Sequence, residues 1–237
     1  YLLNGSKIFT TNANIADIIV ATAKTGDGSN KHKSHSAFII DKNQARDSKE
    51  LVLLPGDEKL GINGSDWANI AFDNLKLTQA DRLGAEGDGF KIFMECLNAG
   101  RVSIAAISIG IAQAALKDAK KYALERKQFG QPIANFQAIQ FKLADMATEI
   151  EASMQLLQHA ALLKSNGIPY SQEASMAKLY ASEMAVRVTN HALQIFGGYG
   201  YTKDFPVERY WRDARAMPIV EGTSEIQHLV IARHLLG

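Results

Sequence analysis

The sequence predicts an α+β chain: an antiparallel β-sandwich or barrel domain over residues 1–82, then an all-α domain of the four-helix-bundle type over residues 83–237. Three observations carry that expectation. Up to about residue 80 the apolar residues come in short runs rich in β-branched and aromatic side chains, separated by Asn-Gly, Asp-Gly and Pro-Gly pairs. From Gly87 onward small and apolar residues recur at helical spacing for many turns. No helical pattern separates the early strands, as an alternating parallel sheet would require.

Taken in order, "YLLNGSKIFTT" (1–11) reads as strand, turn, strand, with Asn4-Gly5 as the turn. "DIIVATAK" (17–24), "SAFIID" (36–41), "ELVLLP" (50–55) and "WANIAFDNLKL" (67–77) read as further strands. Between them "TGDGSNKHKSHS" (25–36) is a polar loop, whose Lys and His are expected to be solvated rather than ligating. The segment 89–130, ending "ALERKQFG", reads as one long helix stopped by Gly130. The segment 135–167 repeats that design, with Asn135 as N-cap and Gly167 as stop. A third long helix spans "SQEASMAKLYASEMAVRVTNHALQIFGG" (171–198), and shorter ones cover 206–217 and 223–236. Long helices joined by short connections make a bundle. The Ala, Ser and Gly of "SIAAISIGIAQAA" (103–115) allow close helix approach, and the breadth of apolar surface predicts contacts between subunits.

Composition narrows the function classes. With 26 Lys and Arg against 25 Asp and Glu, no basic field points to nucleic acid and no charge block reads as a disordered tail. The single cysteine, Cys96, excludes an internal disulfide and fits a reducing compartment; its apolar setting, "FKIFMECLNAG", predicts a buried, inert thiol. No apolar run is read as long enough for a membrane span, and the N-terminus lacks the form of a signal peptide. A chain that opens in mid-sheet is expected to be a piece of a longer protein.

Four stretches look unlike plain bundle sequence. "RKQFG" (126–130) places Arg126 eleven residues before Gln137, and a guanidinium suits a phosphate through its planar fork of donors. "QIFGGYGY" (194–201) pairs glycines after a helix, which either stops the helix or lets the backbone approach a ligand closely. "RYWRDAR" (209–215) offers Arg212 and Asp213 for an ion pair. "PIVEGTSEIQ" (218–227) sets Glu221 at the end of an apolar run, as a solvated turn residue or as a base in a dry pocket.

In that order on long helices, "ALERKQFGQPIANFQAIQFKLADMA", "QIFGGYGY" and "YWRDARAMPIVEGTSEIQ" resemble the acyl-CoA dehydrogenase family. "LGAEGDGFKIFMECLNAGRVSIAA" is similar to the opening helix of that family's C-terminal domain, and "YLLNGSKIFTTNA" to its middle β-domain. The resemblance covers the whole chain. It implies that an N-terminal helical domain and an early Gly-Ser flavin motif belong to the complete protein.

In the family, FAD accepts a hydride from the β-carbon of an acyl-CoA while a glutamate removes the α-proton. The resemblance assigns that base to Glu221. Members that carry the base on the first long helix do so just before an arginine, where this chain has Gly100 before Arg101. The backbone N–H of Glu221 and a ribityl hydroxyl of FAD are expected to grip the thioester oxygen, with Gly222 leaving room for the acyl chain. Substrate contacts are implied for Asn98, Ala99, Gly100 and Arg101. FAD contacts are implied for Arg126, Gln137, Gln194, Ile195, Phe196, Gly197 and Gly198 toward a neighbouring subunit, for Thr223, Ser224 and Glu225, and for Phe9, Thr10 and Thr11 along the flavin ring. No metal site is implied. Phe9 stands where the family often has Trp, and Val220 where it often has Tyr, which bears on pocket shape.

The expected partners are an acyl-CoA, an electron-transfer flavoprotein as acceptor, and copies of the same chain in a homodimer or homotetramer. Nucleic acid and a membrane span are not expected. The expected location is the cytoplasm of a bacterium or the mitochondrial matrix. Two rival readings are an acyl-CoA oxidase on the same fold, handing electrons to oxygen, and a non-catalytic helical assembly piece. Flavin monooxygenases and nitroalkane oxidases of the same superfamily usually replace the glutamate that "EGT" retains here.

Overall fold

A computed structural model describes residues 1–26, 33–45 and 49–237 of the chain, which divide into two compact units, Tyr1–Cys96 and Leu97–Gly237. The middle of the polar loop read at 25–36, including Lys31 and His32, lies outside the described residues.

The first unit is built on strands β1 (Leu2–Thr11), β2 (Ile18–Lys24), β3 (His35–Asp41), β4 (Leu51–Pro55), β5 (Trp67–Lys76) and β6 (Arg82–Leu83), with a single helical turn, α1 (Lys42–Ala45), after β3. They form two three-stranded antiparallel sheets, ordered β1-β5-β4 and β2-β3-β6. Alternation places Ala68, Ile70 and Phe72 of β5 on one inward face and Ile19 and Ala21 of β2 on another. With Phe38, Ile40 and Leu51 these side chains share one core, so the sheets pack as a sandwich.

The Asn4-Gly5 pair is not a turn. β1 runs straight through it, with a bulge between Leu3 and Gly5 in its register against β5, and Gly5 takes φ +131°. A glycine with positive φ serves a bulge as readily as a hairpin, so the dipeptide alone does not decide between them.

In the second unit α2 (Gly89–Glu125, which starts in the first) is followed by a small hairpin of β7 (Lys127–Gln128) and β8 (Gln131–Pro132). Then come α3 (Gln137–Ser165), α4 (Ser171–Phe196), α5 (Val207–Ala214) and α6 (Ser224–Leu236). On α2 the residues Ala105, Ile109, Ala112, Ala115, Ala119 and Ala123 fall on one buried stripe at helical spacing. They share a core with Met146 and Ile150 of α3 and Ala181, Met184, Ala185 and Val188 of α4. α4 packs against α3, α5 and α6 and so organises the unit.

Four local expectations are corrected. The first long helix ends at Glu125; Phe129 and Gly130, at φ +52° and +80°, form the tip of the β7–β8 hairpin. Asn135 is not the N-cap of α3: Phe136 holds that position, and the Asn135 amide donates to Gln131 Oε1 instead. Cys96 is exposed, because it lies five residues before buried Arg101, about 140° around the helix from it. The charges of α2 gather toward its ends and leave residues 102–116 without any, so by length and composition this helix is apolar enough to cross a membrane, contrary to the sequence reading. Gly167 does stop α3. At φ +67° it donates to Lys164 O while Ile168 donates to Leu163 O, the paired bonds of a Schellman motif.

Candidate active site

The segment after α5 folds into successive turns and closes at the start of α6, where Ser224 N donates to Pro218 O at 3.0 Å. At its apex two consecutive residues are left-handed, Glu221 at φ +54° and Gly222 at φ +89°. For a glutamate that conformation costs on the order of 1–3 kcal/mol, which the surroundings must supply. A Cβ on Gly222 would lie 2.8 Å from Gln227 Nε2, so position 222 needs glycine for space as well as for φ.

Three hydrogen bonds from two side chains hold the turn. Lys178 Nζ of α4 donates to Gly222 O at 2.9 Å, Gln227 Nε2 of α6 donates to the same carbonyl at 2.8 Å, and Gln227 also reaches Glu221 O at 3.3 Å. Lys178 and Gln227 are fully buried. Among the described residues the Glu221 N–H has no acceptor.

The Glu221 carboxylate points at α2. A Cβ on Gly100 would stand 2.5 Å from Glu221 Oε2, so the absence of a side chain there makes room for the carboxylate. Beside it Arg101 is buried, and its Nη1 donates to Asn98 Oδ1 at 2.8 Å and to Ser175 Oγ at 3.5 Å, while its Nε has no partner among the described residues. Burial pushes the Glu221 carboxyl above its ordinary pKa, against the opposing pull of Arg101 and Lys178. Burial likewise lowers Arg101, with Glu221 acting the other way. It lowers Lys178 to about 8, opposed mainly by Glu183. A half-buried carboxylate raised in this manner is a stronger base than a solvated one.

Around this centre Thr223 is the N-cap of α6, and Ser224 Oγ donates to Glu183 Oε1 at 2.5 Å. Glu225 is exposed, and hydrogen bonds from the Thr223 hydroxyl and its own backbone hold its carboxyl below the ordinary range. Asn98, Gly100, Arg101, Glu221 and Gly222 are thus brought together, with Thr223–Glu225 at the adjoining helix start.

A second group forms elsewhere in the same unit. Arg126 and residues 195–198 line a cleft of about 480 Å³, with Tyr122 and Tyr199 in its wall. Arg126 lies over the Tyr199 ring at 5.7 Å, and Tyr122 stacks on Phe196 at 4.1 Å. A Cβ on Gly197 or Gly198 would meet nothing within 4 Å, so that backbone is open to close approach. Gln137 starts α3 and Gln194 lies on the last turn of α4; both are exposed and neither lines the cleft. Of Arg212 and Asp213, read together for an ion pair, Arg212 pairs with Glu208 one turn earlier in α5, at 2.7 Å.

In the β unit Phe9–Thr11 end β1. Phe9 is left-handed at φ +55°, in a second register slip between Lys7 and Thr10, and its N–H donates to Asn69 Oδ1 at 3.1 Å. Its exposed ring stacks on Trp67 at 4.9 Å. A strained aromatic residue presented at the surface is a feature functional segments share.

Sequence reasoning missed Lys178, Gln227 and Glu183. A signal for Lys178 was present: it is a lone cation in the small-residue face Ala174, Ser175, Ala177, Ala181, Ser182 and Ala185, where burial is the rule.

Two family models match the chain: "Acyl-CoA dehydrogenase, C-terminal domain" over residues 87–236 and "Acyl-CoA dehydrogenase, middle domain" over residues 1–75. An acyl-CoA dehydrogenase of Bacillus subtilis is 51% identical over 237 residues, which are 100% of this chain and 61% of that protein. The structure of butyryl-CoA dehydrogenase from Megasphaera elsdenii is 44% identical, with a TM-score of 0.95 over 100% of this chain and 61% of its own. A structure concerning the electron transferring flavoprotein of Acidaminococcus fermentans is 47% identical, with a TM-score of 0.94 over the same shares. The chain spans about three fifths of the length of such relatives. Its two matched domains, in their order and with this fold, make it a member of the acyl-CoA dehydrogenase family.

Proposed function

We propose that the full-length protein carrying this chain is an FAD-dependent acyl-CoA dehydrogenase, with its domain division at 82/83. The observation that carries the reading is Glu221: a half-buried carboxylate on a doubly left-handed turn, facing the bare Cα of Gly100. Its role is to take the α-proton of the acyl thioester as the trans-2-enoyl product forms. That proton is very weakly acidic, so the base gains from desolvation and from a donor to the thioester oxygen. The Glu221 N–H, without an acceptor among the described residues, suits that oxygen. Asn98, Ala99 and Arg101 would contact the acyl-CoA, and Gly222 would leave space for its chain.

The residues present fit FAD. The cleft at Arg126 offers a cation, aromatic rings and open glycine backbone, which suit an adenine nucleotide. Gln137 and Gln194 would contact the same group from its margin, and the amides at the start of α6, from Thr223 to Glu225, would favour a phosphate. Phe9, Thr10 and Thr11 would lie along the ring system. When bound, FAD supplies the hydride acceptor for the β-carbon.

An electron-transfer flavoprotein is the proposed acceptor, in keeping with the subject of the Acidaminococcus structure this chain resembles. Copies of the chain would assemble as a dimer or tetramer, in the bacterial cytoplasm or the mitochondrial matrix. Substitution Glu221→Gln in the full-length protein tests the assignment by steady-state turnover. The expected loss is about two to four powers of ten, with flavin content unchanged. Turnover within tenfold of the parent would place the base elsewhere.

A further inference from the structure

We propose that Lys178, acting with Gln227, is a positioning residue that holds the Glu221–Gly222 turn in its left-handed form and thereby aims the Glu221 carboxylate at Gly100. The proposal rests on the reading of Glu221 as the base. Lys178 stands on α4 and Gln227 on α6, and each is completely buried. Both spend a donor on one atom, Gly222 O, at 2.9 and 2.8 Å. That carbonyl belongs to the second of two consecutive left-handed residues, so its direction defines the turn.

A buried ammonium is expensive to place in a helix interface, and hydrophobic residues of like volume ordinarily serve better there. Its presence opposite this carbonyl calls for a reason beyond packing. The neighbouring charges supply part of it: Glu183, Glu221 and Glu225 favour the cation and Arg101 opposes it. Glu183 in turn accepts from Ser224 Oγ at the start of α6, so the same cluster ties both ends of the turn to α4.

The hold matters because Glu221 has little latitude. The position a Cβ would take on Gly100 is 2.5 Å from Oε2, and a turn that relaxed toward right-handed φ would swing the carboxylate away from that gap. Misplacing a reacting group by about 1 Å can cost on the order of a hundredfold in rate.

The test uses the flavin-loaded full-length protein with Lys178→Met, Gln227→Met and the double variant. Two readouts are taken: kcat against KM for an acyl-CoA, and backbone amide exchange over residues 219–224. Lys178→Met is expected to lower kcat about 10–100-fold while KM moves far less, and to speed exchange at 219–224 with α4 unchanged. Because both donors act on one carbonyl, the double variant is expected to lose about tenfold more in kcat than the product of the single losses. Should Lys178→Met fail to fold, Gln227→Met carries the same two readouts. Unchanged exchange over 219–224, or strictly multiplicative losses, would overturn the proposal. The exchange result stands even if the parent protein fails to dehydrogenate acyl-CoA, so failure of the hold is distinguishable from failure of the functional reading.

Discussion

The two units each carry a site segment on a left-handed turn, and each turn is tied down by a buried lysine. In the β unit Lys42 Nζ donates to Ala13 O at 3.0 Å and Asn14 O at 2.8 Å, just after left-handed Asn12 and the Phe9–Thr11 segment. In the helical unit Lys178 Nζ donates to Gly222 O beside Glu221. The surroundings differ. Lys42 spends its bonds on two carbonyls of one loop, whereas Lys178 shares its carbonyl with Gln227 and sits among Glu183, Glu221, Glu225 and Arg101. The first lysine ties its loop alongside Asp66, which accepts from Asn14 N at 3.0 Å; the second belongs to a charge cluster around a proposed base. One mechanical device thus ties a loop of the sheet unit in one place and the turn of a proposed base in the other.

The largest expected effect comes from Lys42→Met. It removes the donor from two carbonyls at once; Asn14 is exposed to water, but the buried Ala13 O left unpaired costs about 1–3 kcal/mol. A drop in unfolding free energy of roughly 1–3 kcal/mol by denaturant titration is expected. A loss below about 0.5 kcal/mol, the usual range for surface changes, would break the comparison by showing that water replaces the lysine.

Gly100→Ala probes the other turn from the opposite side. The added methyl would collide with Glu221 Oε2, so kcat is expected to fall about 10–100-fold with little change in melting temperature. An unchanged kcat would mean that the carboxylate works from another position.

A pH series sharpens the electrostatic contrast. Folding lowers Lys178 from 10.5 to about 8, so its favourable contribution is fully present above 10.5 and is lost as pH falls through about 8. The parent protein is therefore expected to gain stability between about pH 8 and 10, and Lys178→Met to lack that part of the gain. Denaturant midpoints across that range decide the point; parallel curves for the two proteins would contradict it. The smallest effect is expected from Arg212→Ala. Its pair with Glu208 lies within one helix and near the surface, so the loss should stay within about 1 kcal/mol.

How much of this was legible follows from what each signal encodes. The strand read at 67–77 and the helical spacing read from Gly87 both hold, because burial itself imposes those periods: Ala68, Ile70 and Phe72 alternate inward on β5, and the alanines of α2 line one buried stripe. Glycine punctuation was less informative. Gly5 in a bulge, Gly130 in a hairpin and Gly167 in a helix stop all take positive φ, and the residue cannot say which is needed. In the site, Glu221, Arg126 and the Gly197–Gly198 pair stood out through unusual local sequence. Lys178 and Gln227 did not, since their meaning depends on the Gly222 carbonyl, 44 residues from the first and five from the second.

The most direct test of the account follows the α-proton itself. A saturated acyl-CoA is incubated without electron acceptor in D2O with flavin-replete full-length protein, and loss of the α-proton signal is followed by NMR. The account predicts exchange with the parent protein, and about two to four powers of ten less with Glu221→Gln at equal flavin content. Its acid limb should lie above the ordinary glutamate pKa, because burial raises the carboxyl. Exchange in Glu221→Gln within tenfold of the parent would contradict the assignment of Glu221 as the base.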